Sequence, residues 1–130
     1  MSDKILEGLQ KNLQKELDSF RSCQKEYQKA ITKRQQLDAQ LNENTCVKNE
    51  LDLLEEDGEV FKLIGPVLMK QDLEEAKQNV AKRIEYISGE IKRLDNMIAD
   101  IDKKQNEHRD SLITLQKNMQ DALTKSAKKG

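Results

Sequence analysis

The chain has 130 residues, 36% charged and 35% hydrophobic, with 23 basic against 24 acidic residues and a formal net charge of −1. Two Phe, two Tyr, no Trp, five Gly and one Pro leave too little aromatic and turn-forming material for a compact α/β enzyme; long helices have this composition. Balanced charge gives no field to attract nucleic acid, and no apolar run reaches the ~20 residues that a membrane span needs.

The first predicted element is a long helix over about residues 3–57, uninterrupted by Pro. The N-terminus, Met1-Ser2-Asp3-Lys4, begins no signal-peptide pattern. One apolar seam runs Leu6, Leu13, Phe20, Tyr27, Arg34, Leu41; its companions are Leu9, Leu17, Cys23, Ala30, Ile31 and Leu37. Val47, Leu51 and Leu54 continue it in a shifted phase, so the pattern predicts a drift of about one position past Ile31. Cys23 and Cys46 both fall within this helix and cannot meet there, and no CxxC or Cys/His cluster exists. Two reduced thiols fit a cytoplasmic protein.

The helix is expected to close at Glu55-Glu56-Asp57-Gly58, with Gly58 in the left-handed region. A β-hairpin over about residues 58–69 follows: Val60, Phe61, Leu63 and Ile64 precede Gly65-Pro66, and Val67, Leu68 and Met69 come after it. Val, Phe and Ile favour strands, and Gly-Pro marks the turn.

A second helix is predicted over about residues 70–126. Asp72, Glu74 and Glu75 suit its N-terminus, and Lys125, Lys128 and Lys129 its C-terminus. Two heptad series interleave along it: Leu73, Val80, Ile87, Leu94, Ile101, His108, Leu115, Ala122, and Lys77, Ile84, Ile91, Ile98, Gln105, Leu112, Met119. Only Lys77, Gln105 and His108 are polar among these positions.

Residues 58–69 are the one point of reversal, so the two helices must run antiparallel and bury each other's seams. The fold class is mainly α: one domain, an antiparallel two-helix coiled coil joined by a short β-hairpin. The hairpin is strongly apolar with nothing in the chain to cover it, and an isolated hairpin is marginal in water. Hairpins of several chains are therefore expected to pair into a shared sheet or intersubunit β-barrel. At the far end, Leu6, Leu9 and Leu13 should lie near Leu112, Leu115, Met119 and Leu123. By themselves these residues read as closure of the coil; fraying would expose them to partners.

Other side chains invite catalytic readings and do not sustain them. His108 has no second ligand to make a metal site; with Gln105 it reads as a polar layer that fixes register. Arg34 can pack its stem and keep its head in water. Tyr27 and Tyr86 read as packing residues, and the acidic cluster at 55–57 as solvated charge.

The stretch Phe61-Lys-Leu-Ile-Gly-Pro-Val-Leu-Met-Lys-Gln-Asp-Leu73, followed by Glu-Glu-Ala, resembles the centre of β-type prefoldin subunits. Gln40-Leu-Asn-Glu-Asn44, Val47-Lys-Asn-Glu-Leu51 and Arg83-Ile-Glu-Tyr-Ile87 look like the eukaryotic members, and the resemblance covers about residues 5–125. It implies a heterohexameric co-chaperone in which this chain joins two α-type and three further β-type subunits. Hairpins would form a double β-barrel platform, assembled here through Val60, Phe61, Leu63, Ile64, Val67, Leu68 and Met69. The coil tips, here Leu6, Leu9, Leu13, Leu112, Leu115, Met119 and Leu123, would hold unfolded clients such as actin and tubulin and deliver them to the cytosolic group II chaperonin. No cofactor or nucleotide is implied, in keeping with the lack of a GxxxxGK[ST] loop. The alternative is a passive coiled-coil tether, which accounts for the heptads but has no need of an exposed apolar hairpin.

Overall fold

The computed structural model describes residues 2–55 and 57–129. Four elements follow in order: α1 (Ser2–Leu53), β1 (Val60–Ile64), β2 (Val67–Gln71) and α2 (Leu73–Lys129). The chain forms two compact units, one of Thr32–Asp95 and one of Met1–Ile31 with Asn96–Gly130.

The unit Thr32–Asp95 contains the hairpin and the adjoining parts of both helices. Its core cluster is Leu51, Ala76 and Val80, with Val60, Leu73 and Ile84 packed against it. Ile87, Ile91 and Leu94 are also buried. Leu51 near the end of α1 thus meets residues at the start of α2, and Arg34 reaches Asp95. The helices are antiparallel here.

The hairpin is an antiparallel pair in which Val60 faces Gln71, Phe61 faces Lys70, Lys62 faces Met69, Leu63 faces Leu68 and Ile64 faces Val67. Two residues, Gly65 and Pro66, make the turn. Gly65 has φ 59°. The ring of Pro66 holds its φ near −65° and so excludes a type I′ turn, while Gly at the first position fits type II′.

Element boundaries and the conformation of Gly58 differ from the sequence reading. α1 ends at Leu53, not near 57, and has no basic residue in its last turn. Acidic side chains beyond it would face the negative end of the helix dipole. Glu56 of this run lies outside the described residues. Gly58 does not take the left-handed conformation, since the only positive φ among the described residues is at Gly65. Space at Gly58 is tight instead: a Cβ there would lie 3.0 Å from the Glu55 carbonyl oxygen and 3.2 Å from Leu54 Cβ. The Gly58 amide also donates to that carbonyl, at 2.8 Å. α2 starts at Leu73, not 70, because Lys70 and Gln71 are held in the β ladder. Asp72 then caps the helix: its carbonyl accepts from the Ala76 amide at 2.9 Å and its Oδ2 from the Glu75 amide at 3.3 Å.

The second unit joins the N-terminal part of α1 to the C-terminal part of α2, with Cys23, Ala30 and Ile101 buried. Glu16 meets His108, so the helices are antiparallel here too.

Along α2, every position of the two predicted heptad series is buried or half-buried. Along α1 the structure corrects the expected drift. Positions 6, 9, 13, 16, 20, 23, 27, 30, 34, 37, 41 and 44 are all buried or half-buried, and 51 is buried. This alternation of three and four keeps its phase past Ile31. Val47 and Leu54 are exposed, off the seam. Polar Glu16, Arg34 and Asn44 occupy seam positions, and exposed Lys48 stands at the next one.

Candidate binding surfaces

Two surfaces stand out, one in each unit. The first is the hairpin. Val60 is half-buried against the core, yet every residue from Phe61 to Lys70 is exposed. Leu63 is 67% exposed, and Phe61, Ile64, Val67, Leu68 and Met69 are each at least half exposed. The structure therefore brings all seven predicted assembly residues onto one small sheet and leaves six of them uncovered. Leu53 and Leu54, exposed at the end of α1, are further apolar side chains of this unit. Each strand also has one edge with no neighbour among the described residues. Among the described residues, the one ion pair of the sheet joins Lys70 Nζ to Glu59, just before β1, at 3.9 Å.

The second surface lies in the chain-end unit. Leu6, Leu9, Leu13, Leu112, Leu115 and Met119 occupy seam positions and are half-buried. Leu123 is off the seam and exposed. Sequence reasoning missed Ile5 and Ile113, which are 60% and 58% exposed. The signal was present: each adjoins a seam leucine, Leu6 or Leu112, and so cannot face the partner helix as well. With the helices closed, Ile5, Met97, Ile113 and Leu123 are the large apolar side chains among the described residues that this unit leaves at least half exposed, Met97 at its inner margin.

Polar seam residues form two kinds of contact. Glu16 Oε2 lies 2.7 Å from His108 Nδ1, and both side chains are about 30% exposed. The carboxylate accepts, which assigns the proton to Nδ1. Gln105 is half-buried at the seam position three residues before His108. Sequence reasoning placed His108 in a register-setting layer but did not find its partner, because Glu16 sits at a slot where an apolar residue is the norm. In the other unit, Arg34 Nε donates to Asp95 Oδ1 at 2.7 Å and Nη2 to Oδ2 at 3.5 Å, while Nη1 pairs with Asp38. Hydrogen bonds donated to Asp95 and then to Asp38 raise the Arg34 pKa above its ordinary value. Arg34 is thus a bridge between helices as well as a packed stem.

The remaining chemistry is sparse. Cys23 is buried and Cys46 exposed, both free. No group of three metal-ligating side chains gathers among the described residues. An open groove of about 410 Å³ is lined by Gln40, Asn44, Lys82, Arg83, Tyr86 and Ile87, with no carboxylate, imidazole or thiol to act as an acid–base pair. No helix among the described residues is long and apolar enough to cross a membrane.

A paired-helix chain with an apolar, exposed hairpin fits one class, the subunit of a larger assembly. Comparison with known proteins identifies the family. The family model for a prefoldin subunit matches residues 6–119. Prefoldin subunit 6 of Arabidopsis thaliana is 47% identical over 128 residues, covering 98% of this chain and 99% of the relative. Prefoldin subunit 6 of Homo sapiens is 44% identical over 123 residues, covering 95% of each chain. The crystal structure of the prefoldin beta subunit from Thermococcus strain KS-1 superposes with a TM-score of 0.74 at 20% identity, covering 79% of this chain and 90% of that one. The chain belongs to the prefoldin family and is a subunit of that chaperone complex. Its fold is that of the prefoldin beta subunit.

Proposed function

We propose that this subunit works in a cytoplasmic heterohexamer with two α-type and three further β-type prefoldin subunits, joined through its hairpin. The assembly captures unfolded polypeptides, actin and tubulin among them, at the chain-end units and passes them to the cytosolic group II chaperonin without nucleotide. The observation that carries this reading is the exposure of the whole hairpin from Phe61 to Lys70, beside a separate apolar set at Ile5, Ile113 and Leu123. One surface serves assembly and the other serves clients.

The division of labour has a physical logic. Each chain-end unit offers a few apolar side chains, so a single contact is weak. Several such units on one platform raise the effective concentration, and avidity then exceeds one-site affinity by ~10²–10⁴. Weak individual contacts also release stepwise. The half-buried seam residues Leu6, Leu9, Leu13, Leu112, Leu115 and Met119 enlarge the client surface when the helix ends part.

The test is aggregation of a denatured client in the presence of reconstituted complex. Ile5→Ser with Ile113→Ser and Leu123→Ser, and separately Leu6→Ser, Leu9→Ser, Leu115→Ser and Met119→Ser, reduce suppression while the complex stays intact. Full suppression by both variant sets refutes the client role. A passive tether gains no support from the structure's exposed sheet.

A further inference from the structure

One surface of the unit Thr32–Asp95 belongs neither to the hairpin nor to the chain ends: the groove lined by Gln40, Asn44, Lys82, Arg83, Tyr86 and Ile87. Helical spacing builds it. Residues three and four apart share a face, so Lys82 and Arg83 stand beside Tyr86, and Arg83 beside Ile87. Ile87 is buried and Asn44 half-buried, which makes them the floor; the other four side chains are exposed and form the walls. Tyr86 is 69% exposed. Of the other aromatic residues, Phe20 and Tyr27 fill the α1 seam and Phe61 lies in the hairpin, so Tyr86 alone stands on a helix surface away from both. Val47, 43% exposed, follows Asn44 by one helical turn and Gln40 by two, and so extends the apolar part of the same flank.

The polar lining is one-sided. Lys82 and Arg83 are cations, Tyr86 offers a hydroxyl, Gln40 and Asn44 are neutral amides, and no carboxylate lines the groove. Among the described residues, Arg34 and Arg93 of the same unit are held in ion pairs, whereas Lys82 and Arg83 are in none. Glu43, Glu85 and Glu90 stand near in sequence but outside the lining. We propose that this groove binds a short acidic peptide segment of a partner protein, with one or two carboxylates next to a large apolar side chain. A carboxylate meets the planar fork of Arg83 through charge-assisted hydrogen bonds, with Lys82 as a second cation, and the apolar side chain lies on Tyr86 and Val47. Tyr and Arg are the residue types that carry much of the binding energy at protein interfaces. The flanking glutamates limit how much anionic chain fits: a nucleic-acid backbone brings successive phosphates against them, and a single aromatic gives bases one place to stack. This surface is separate from the assembly and client surfaces and depends on neither.

The experiment is fluorescence anisotropy of a labelled short peptide containing Asp-Glu-Phe, titrated with the full chain alone and within the reconstituted complex. An Asn-Gln-Phe counterpart and a single-stranded oligothymidylate are the comparison probes. The acidic peptide binds more tightly than its amide counterpart, and Arg83→Gln with Lys82→Gln weakens it about tenfold, the measure of one lost charge-assisted hydrogen bond. Tyr86→Ala weakens both peptides. Lys25→Gln with Lys29→Gln, exposed on the chain-end part of α1, leaves binding unchanged. The substituted side chains are all exposed, and circular dichroism checks that the helices persist. Absence of acidic-peptide binding, equal binding of the amide counterpart, or an equal loss from the Lys25 and Lys29 variant overturns the proposal. Tighter oligothymidylate binding that the groove variants abolish assigns the groove to nucleic acid and overturns it as well. Binding by the chain alone that disappears in the complex shows the groove covered by another subunit, with the same consequence.

Discussion

The phase of the α1 seam is open to a direct test by truncating Leu51 and Val47 to Ala separately. Leu51 is 7% exposed and packs in the cluster with Ala76 and Val80, whereas Val47 is 43% exposed. Buried Leu→Ala changes cost about 2–5 kcal/mol, and two packed helices relax partly around the gap, so about 3 kcal/mol is the working figure for Leu51→Ala. Val47→Ala removes two methyl groups, worth about 0.8 kcal/mol each when fully buried and roughly half that here. Alanine recovers up to about 0.7 kcal/mol in helix propensity over valine, so the net change is close to zero. Urea unfolding followed by circular dichroism, at one fixed protein concentration, measures both. Equal losses, or a larger loss for Val47→Ala, would mean that the seam does shift past Ile31 and would refute the unbroken phase.

Two further outcomes follow from the turn and the polar layer. Gly65→Ala puts a Cβ on a residue at φ 59° and should destabilise the hairpin by about 1 kcal/mol or more, visible as faster amide exchange in β1 and β2; unchanged exchange would show that the turn is not under this constraint. Replacing Glu16 and His108 together by Leu should raise stability by about 1 kcal/mol, because an apolar layer replaces a part-exposed polar pair, while Glu16→Leu alone leaves the imidazole without its acceptor and is less stable than the double variant. A double-mutant cycle of urea midpoints checks this, and a double variant less stable than the parent contradicts it.

How much of the structure could be read from sequence depended on which residues fill the seam. In α2 only Lys77, Gln105 and His108 interrupt the apolar series, so its register was readable throughout. In α1, Glu16, Arg34 and Asn44 occupy seam slots while Val47 and Leu54 lie outside them. An apolar count then follows the wrong residues and reads a slip in a phase that is unbroken. What holds the polar slots in place is tertiary: Asp95 for Arg34 and His108 for Glu16, partners more than sixty positions away in the chain. The hairpin was legible because Gly65-Pro66 fits a turn of one type and β-branched residues flank it. Its edges were less so, since Lys70 and Gln71 have no strong strand preference and are placed by pairing with Phe61 and Val60. Among the proposed client residues, the heptad rule found the seam leucines and passed over Ile5 and Ile113, whose exposure follows from their standing beside that seam.

The most direct test of the central claim is the native mass of the complex that this chain forms in a cytosolic extract. The account predicts six small subunits, this chain with five different prefoldin-family partners, and loss of that species when the hairpin carries a charge. A stable homodimer, or a single unrelated coiled-coil partner, would contradict it.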